Sequence, residues 1–373
     1  MIRILEASGL QGRGGAGFPV GRKWRSVAER AGGQAVVLVN GAEGEPLSVK
    51  DRTLMAQRPH LILDGALLAA DAVGADELIF YIGAAHEAAR AAMHRAVAER
   101  QADFGRRRVR LLDAPTAYVA GEETAAVNCA NTAVARPTTT PPRPFERGVR
   151  GRPTLVQNVE SLAIAALIAQ YGDAWYRGLG QGGAHGFGLV TVSGAVTRPG
   201  LREVELGTRV GDIVELAGAT RGGLQAVLLG GYFGAWARVA DAWDVELNHA
   251  SMRSRGLALG CGVVAPLSTA DCGVMTTSRI MTYMALQSAR QCGPCLFGLA
   301  AIAEAMARLA RRTARADDLE RVARWSVQMA GRGACRHPDG AVGLMRSALG
   351  VFDEEFAAHQ RGVCLQGSAR QAA

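Results

Sequence analysis

The cysteines have the most chemistry to offer. Seven occur in 373 residues, and two stand in QCGPC, Gln291 to Cys295. A C-x-x-C pair is a redox dithiol where it follows a strand and opens a helix. It is equally half of a metal or iron–sulfur site. The flanks bear on the choice. SRIMTYMALQSAR before the pair and LFGLAAIAEAMARLARR after it both carry helical periodicity. A pair between two helices disfavours a thioredoxin-type dithiol without removing it. Cys129, Cys261 and Cys272 read most simply as small buried residues.

A second group of residues suits an anion. GLQGRGGAGFPVGRKW (9–24) contains Gly12-x-Gly14-x-x-Gly17, formally a dinucleotide fingerprint. That fingerprint should follow a strand and precede an acid at the end of the next one. Only eleven residues precede Gly12, and AVVLVN ends in Asn40, so an ordinary Rossmann dinucleotide site is rejected. The glycines still let backbone approach a ligand closely and aim N–H groups at an anion. Lys23 adds a compact positive charge suited to phosphate. Lysine occurs only at Lys23 and Lys50 in a chain that otherwise uses arginine. The plainer alternative is a flexible surface loop. Two acidic clusters follow, NGAEGEP (40–46) at the end of a strand and GEET (121–124) at the start of a helix. Either glutamate of GEET would favour a helix N-terminus with no further role.

The elements that must position these groups are partly legible. AVVLVN (35–40), ELIFYI (77–82) and RVRLL (108–112) read as strands. HLILDGALLAADAV and HEAARAAMHRAVAER (86–100) read as helices between them. AYVAGEETAAVNCA suggests a strand end, a tight turn at Gly121 and a helix, and NVESLAIAALIAQYG another helix. Strand–helix alternation predicts an α/β layer with parallel strands. RPTTTPPRP (136–144) is too rich in proline for regular structure. The glycine-rich LGQGGAHGFG (179–188) reads as a linker. Beyond it LVTVSGAVTRPGLREVEL and AVLLGGYFG have strand-and-turn texture, and from about Thr276 the chain is helical, with LERVARWSVQMAGR a third helix of that stretch. The expected domains are 1–178, 186–265 and 276–373.

Composition excludes several classes. Hydrophobic residues make up 49%, so the chain is globular. The net charge is +8, but arginine is scattered and aromatics do not interleave with it, which argues against nucleic-acid binding. The N-terminus lacks a signal-peptide core, and apolar runs such as LAIAALIAQ are too short to span a bilayer. The expectation is a soluble, cytoplasmic chain without a membrane span.

Four motifs, in order, resemble the family of flavin-carrying subunits found in respiratory complex I and in related NAD-linked hydrogenases and formate dehydrogenases. They are GRGGAGFPVGRKW; NGAEGEP followed by Lys50-Asp51-Arg52; GEETA; and GRPTLVQNVE (151–160). VSGAVTRPG is similar to the family's SLBB domain, a small ubiquitin-like β-grasp. The resemblance implies a Rossmann-like α/β FMN-binding domain, then the SLBB β-grasp, then a helical iron–sulfur-binding bundle. It implies an FMN site lined by Gly12, Arg13, Gly14, Gly15, Lys23, Asn40, Glu43, Gly121, Glu122, Glu123 and Asn158. Phe18 would stack on the adenine of NADH, and Glu45 and Glu123 would lie near its nicotinamide as the catalytic pair. NADH would give hydride to FMN, and electrons would pass to a 4Fe–4S cluster and then to an iron–sulfur or ferredoxin-like partner in a multi-subunit complex.

The chain departs from that pattern. Ala42 replaces an Asp, Gln157 replaces an Asn, and Ser26, Thr140 and Arg143 stand where the family has two stacking phenylalanines and a phosphate-binding Lys. Stacking is worth about 1–3 kcal/mol per base, so the NADH pocket is expected to be weakened. Arg143 can instead stack its guanidinium or hold a phosphate. The family's first cluster Cys is Ala289. Cys292, Cys295 and Cys335 fill the other three ligand positions, and Cys364 is the candidate for the fourth if the chain turns back near Gly350 and Phe352-Asp353; His337 is the second candidate. The resulting reading is an NADH-dehydrogenase-type flavoprotein subunit. Its rivals are an FMN and iron–sulfur relay that no longer uses NADH, a dithiol oxidoreductase at Cys292 and Cys295, and a cofactor-free scaffold.

Overall fold

The computed structural model describes residues 1–366. They divide into two compact units, Met1–Thr191 with Leu201–Thr208, and Val192–Gly200 with the chain from Arg209 onward.

The first unit is built on β1 (Ala35–Gly41), β2 (Ala75–Gly83), β3 (Arg108–Ala114) and β4 (Thr154–Asn158). All pairings are parallel, in the order β3-β2-β1-β4. Val36 to Val39 on β1 are fully buried on both faces, which is why the strand reads as an unbroken apolar run. The helices are α1 (Ile2–Ser8), α2 (Val20–Ala31), α3 (Lys50–Gln57), α4 (Pro59–Val73), α5 (Glu87–Glu99), α6 (Glu123–Thr132), α7 (Val159–Tyr171) and α8 (Asp173–Gly178). The parallel α/β layer agrees with the sequence expectation. AYVAG differs: Tyr118–Gly121 is a 3-10 turn leading into α6, not a strand end. The glycine-rich 179–188 stretch is not a free linker either. Gln181 N–H donates to the Leu206 carbonyl, Gly186 N–H donates to the Leu179 carbonyl, and Phe187 already begins a strand.

Strand order fixes where a ligand belongs. Helical connections leave β1 towards β2 on one side, and β4 adds on the other. A crevice therefore opens beyond the carboxyl ends of β1 and β4. Asn40 and Asn158 are register partners there.

The strands β5 (Phe187–Val192) and β6 (Gly200–Glu205) carry the division between the units. In the second unit β7 (Leu224–Leu229) pairs antiparallel with β8 (Ala235–Arg238) and with β9 (Val263–Ser268). Short helices α9 (Val210–Leu216), α10 (Val239–Ala242) and α11 (His249–Ser254) accompany them. The helical part consists of α12 (Gly273–Leu286), α13 (Leu299–Ala310), α14 (Asp318–Gln328), α15 (His337–Val351) and α16 (Asp353–Gln360). Met281, Met284, Leu299, Ile302, Met306, Val322, Leu344 and Met345 form its buried interior. Trp236 N–H on β8 donates to Ser347 Oγ on α15 at 2.9 Å, tying sheet to helices within this unit. Among the described residues no helix is long and apolar enough to cross a membrane.

Candidate functional site

The glycine-rich loop precedes the first strand instead of following it. It is a tight excursion: Gln11 bridges Pro19, Gly12 N–H donates to the Phe18 carbonyl, and Val20 N–H donates to the Leu10 carbonyl. Gly15 (φ 110°) and Gly17 (φ 63°) take left-handed backbone that side chains disfavour. A Cβ on Gly14 would lie 3.4 Å from Cβ of Asn158, so the loop rests on the end of β4. It then feeds α2, whose first turn carries Lys23. The Lys23 ammonium meets the Glu123 carboxylate at 3.2 Å, and Arg143 approaches the same carboxylate at 3.9 Å. These side chains stay partly exposed. Phe18 is half exposed, with the Arg22 guanidinium 6.0 Å from its ring centre.

The acidic motifs divide their labour. Asn40 Nδ2 donates to the Gly121 carbonyl at 2.9 Å, and Ala42 N–H donates to Asn40 Oδ1. A Cβ on Gly121 would lie 2.7 Å from the Ala42 carbonyl oxygen, so the two loops meet backbone to backbone. Glu45 is nearly buried and accepts from the Tyr118 hydroxyl at 3.0 Å. Glu122 caps α6 by accepting from Thr124 and Ala125 N–H. Burial pushes its carboxyl up, against those hydrogen bonds. Glu123 is left facing Lys23.

Two expected flavin-lining residues are committed elsewhere. The Glu43 carboxylate accepts from Ser48 Oγ at 2.6 Å and from the N–H groups of Asp51 and Arg52, so it holds the first turn of α3. Arg13 is 4% exposed: its N–H donates to Ser161 Oγ, and its guanidinium donates to the Tyr176 hydroxyl and to the Phe187 carbonyl. Its Nε stands 3.9 Å from Glu160. Arg13 therefore pins the loop to α7, α8 and β5 from beneath. Asn158 caps α7 through Oδ1 and donates to Asp51 Oδ2 at 2.8 Å.

Sequence reasoning missed what lies under the crevice. Lys50 is 2% exposed and bridges Asp51 at 2.6 Å and Glu160 at 3.0 Å. Burial pulls the ammonium down, but Asp51, Glu160 and Glu43 outweigh it and keep it charged. Burial pushes Asp51 up to about 6, with Lys50 opposing and Glu43 and Glu160 adding. The available signal was that Lys50-Asp51 sits beside the acidic loop in a chain with only two lysines. Gln157 accepts from the Trp24 indole N–H at 3.3 Å.

In the second unit QCGPC lies between α12 and α13, as expected. Cys295 is in a π-helical turn, Pro294–Gly298, that opens into α13. Such turns recur at functional sites. Cys295 is 4% exposed; burial, then the neighbouring Cys292 and Cys335 thiols, push it up to about 12. Cys335 stands just ahead of α15. Cys292 and Cys335 thus both lie near enough to act on the Cys295 thiol. His337 Nε2 donates to the Met284 carbonyl at 2.8 Å, deep in the helical interior. The turn expected near Phe352-Asp353 exists, since α15 ends there and α16 begins. It brings Cys364 to Cys272 and His359, a different company from that expected for a fourth cluster ligand. Cys129 packs in the core of the first unit, and Cys261 Sγ donates to the Gly230 carbonyl at 3.3 Å.

Comparison with known proteins resolves what this geometry belongs to. Residues 5–166 match the profile of the Nuo51 FMN-binding domain, 189–233 that of the SLBB domain, and 275–359 that of the NADH-ubiquinone oxidoreductase-F iron-sulfur binding region. The NADH-quinone oxidoreductase F 2 subunit of Rhizobium meliloti (strain 1021) is 32% identical over 96% of this chain and 88% of its own length. The chain belongs to the NADH-quinone oxidoreductase F-subunit family. The F-subunit of Mycobacterium bovis is 30% identical, over 97% of this chain and 85% of its own length. A chain of NAD+-reducing [NiFe]-hydrogenase, in a crystal structure of the air-oxidized state, superposes with a TM-score of 0.89 at 32% identity. The match covers 96% of this chain and 62% of that longer chain.

For this family member the residues present fit both implied cofactors. Left-handed glycines beside a lone lysine suit the phosphate of a flavin nucleotide, and the crevice lies at the switch point of the sheet. Cys295, with Cys292 and Cys335 near it in the region matching the iron-sulfur profile, suits an iron–sulfur cluster, though a cubane takes four ligands and Ala289 supplies none.

Proposed function

We propose that this chain is the flavin-bearing, NADH-oxidising electron-transfer subunit of a cytoplasmic multi-subunit complex, with FMN in the crevice of the first unit and one iron–sulfur cluster in the second. The observation that carries the reading is the assembly at the ends of β1 and β4: the glycine loop resting on Asn158, with Lys23 and Glu123 facing each other across the mouth. Bound FMN supplies the conversion of a two-electron hydride into single electrons. The protein's own part is to bind and orient. Lys23 exchanges Glu123 for the flavin phosphate, which frees Glu123 towards the nicotinamide. Glu45, steadied by the Tyr118 hydroxyl, orients the carboxamide of NADH. Half-exposed Phe18 offers a stacking face for adenine. Cys292, Cys295 and Cys335 hold the cluster, and a small iron–sulfur protein takes its electrons. The domain limits 1–178, 186–265 and 276–373 describe how these tasks are divided.

One observation favours a second reading, a relay that takes electrons from a protein. Ser26 Oγ bonds the Arg22 carbonyl on its own helix, and Arg143 faces Glu123, so Phe18 lacks aromatic partners at those two positions. The discriminating measurement is stopped-flow reduction of the FMN-loaded chain by NADH. Bleaching at NADH concentrations near or above millimolar, slower than cluster reduction by dithionite, agrees with a weakened donor pocket. No bleaching at any concentration selects the relay. No flavin binding at all defeats both.

A further inference from the structure

Outside the three-thiol set a second group of soft ligands gathers. Sγ of Cys272, a ring nitrogen of His359 and Sγ of Cys364 all lie within 4.8 Å of one another. We propose that Cys272, His359 and Cys364 form a second metal site, which takes a zinc ion with its fourth position left to solvent or a small ligand.

Each ligand is placed by the fold. Cys272 follows β9 and caps α12, its Sγ accepting from Met275 N–H at 3.4 Å. Metal binds this sulfur as thiolate and so displaces the proton that burial otherwise holds on it. His359 lies on α16, fully buried, with Nδ1 2.9 Å from the Leu309 carbonyl at the end of α13. A carbonyl only accepts, so Nδ1 carries the proton and Nε2 keeps its lone pair. That lone pair points at Cys272 Sγ, 3.3 Å away. A histidine whose far nitrogen donates to a backbone carbonyl is the usual arrangement around a zinc ion. Cys364 comes round on the turn that ends α16. Gly362 takes φ 83°, its N–H donates to the His359 carbonyl, and Val363 N–H donates to the Ala358 carbonyl. Those bonds set the turn independently of any ion. Cys364 is the least buried of the three, which leaves a way in for an ion.

The chemistry selects the ion. Two thiolates and an imidazole are soft to borderline donors, which exclude calcium and magnesium and suit zinc. With Zn–S of about 2.3 Å and Zn–N of about 2.0–2.1 Å, a tetrahedral site needs ligand separations of about 3.5–3.8 Å. The Cys272–His359 pair, at 3.3 Å, opens slightly to reach them, and the other separations already lie within 4.8 Å. His359-Gln360-Arg361-Gly362-Val363-Cys364 also has the short ligand spacing typical of structural zinc. Glu355, whose Oε2 accepts from Gly273 N–H at 2.7 Å, fixes the strand-to-helix turn from the other side. A bound ion would fasten the end of α16 to the start of α12, with His359 already held to the end of α13.

The test is metal analysis of the full chain purified anaerobically, wild type beside Cys364→Ser. Iron, flavin and zinc are counted per chain. The expected result is about one zinc in the wild type, lost in Cys364→Ser with iron and flavin unchanged. Loss of iron in Cys364→Ser would overturn the proposal, since Cys364 would then serve the cluster. Cobalt(II) added to zinc-free wild type gives the second readout, and it needs no folding of a core variant. A thiolate-to-cobalt charge-transfer band with tetrahedral d–d absorption is expected. The band should fall by about half in Cys364→Ser, and His359→Gln should weaken cobalt binding at least tenfold. Wild type that takes neither zinc nor cobalt, or that instead closes a reversible Cys272–Cys364 disulfide, refutes the site.

Discussion

The two lysines end in opposite environments, and each predicts a different failure. Lys50 is the sole ammonium among Asp51, Glu160 and Glu43, away from water. Removing one partner of a buried ion pair leaves an uncompensated charge and costs about 3–5 kcal/mol. Lys50→Met should therefore lower the denaturation midpoint sharply, read by circular dichroism in urea, and an undiminished midpoint would show that the carboxylates relax without it. Lys23 is partly exposed and paired only with Glu123 across the crevice. Lys23→Ala should leave stability within about 0.5 kcal/mol, as for an exposed pair, while weakening FMN at least tenfold in a fluorescence-quenching titration. Retained affinity would move the phosphate away from this loop. The sequence made Lys23 visible, because a compact cation beside left-handed glycines has an obvious use. It did not make Glu43 or Arg13 legible. Glu43 turns back onto the first turn of α3 just after it, a local fold with no periodic signal. Arg13 underpins the glycine loop through Ser161, Tyr176 and Phe187, which arrive from far along the chain. Cys272 was hidden because its partners His359 and Cys364 lie about ninety residues on and arrive only through α16.

Among elements, the long apolar strands were the easiest to read and the short ones the hardest. β1 and β2 are buried on both faces, so composition alone marks them. β4 has only five residues, TLVQN, and becomes a strand by pairing with β1. α3 has too little apolar face to announce itself, and is held by Glu43 instead. The loop 179–188 looked like a linker because glycine was counted without its neighbours. Close packing between helices gives a prediction here. Gly65 on α4 faces α7 so nearly that an added Cβ would come within 2.1 Å of the Leu162 carbonyl oxygen. Gly65→Ala must push the helices apart and should cost about 1–3 kcal/mol, visible as a lower melting temperature. In the second unit Asp318, fully buried, accepts from Arg308 through both oxygens, at 2.8 and 2.6 Å, and from Arg315 N–H. The Arg308 bond, against burial, holds its carboxyl below the ordinary range. A depressed folded value means stability that is present above the unfolded pKa of about 3.9 and lost as pH falls through the folded one. Asp318→Asn should lose about 1.5–3 kcal/mol at pH 7, the worth of hydrogen bonds to a charged group, and should melt with a flatter acid dependence below pH 4. Equal acid slopes in the two proteins would assign the dependence to other carboxylates.

At the scale of the whole molecule, the division into two compact units separates the two cofactor regions. The profile for FMN falls in the first unit and that for iron–sulfur in the second. Each should therefore fail on its own. In a chain carrying Cys292→Ser, Cys295→Ser and Cys335→Ser, the thiols that meet around the π-helical turn are gone, while the crevice at β1 and β4 is untouched. Cluster absorbance and its low-temperature EPR signal should vanish. FMN should bind as before, because its cradle is built from residues of the first unit and the cysteines belong to the second. NADH should still bleach the flavin, since the proposed hydride site around Glu45 and Glu123 belongs to the first unit. Reduction of a small iron–sulfur acceptor should fall by at least tenfold, because electrons would have lost the step between flavin and partner. The single change Cys335→Ser should behave like the triple one: with Ala289 already lacking a ligand, two thiols are too few for a cubane. Unchanged acceptor reduction in both variants would mean that electrons leave directly from the flavin, and the three thiols would then need another purpose.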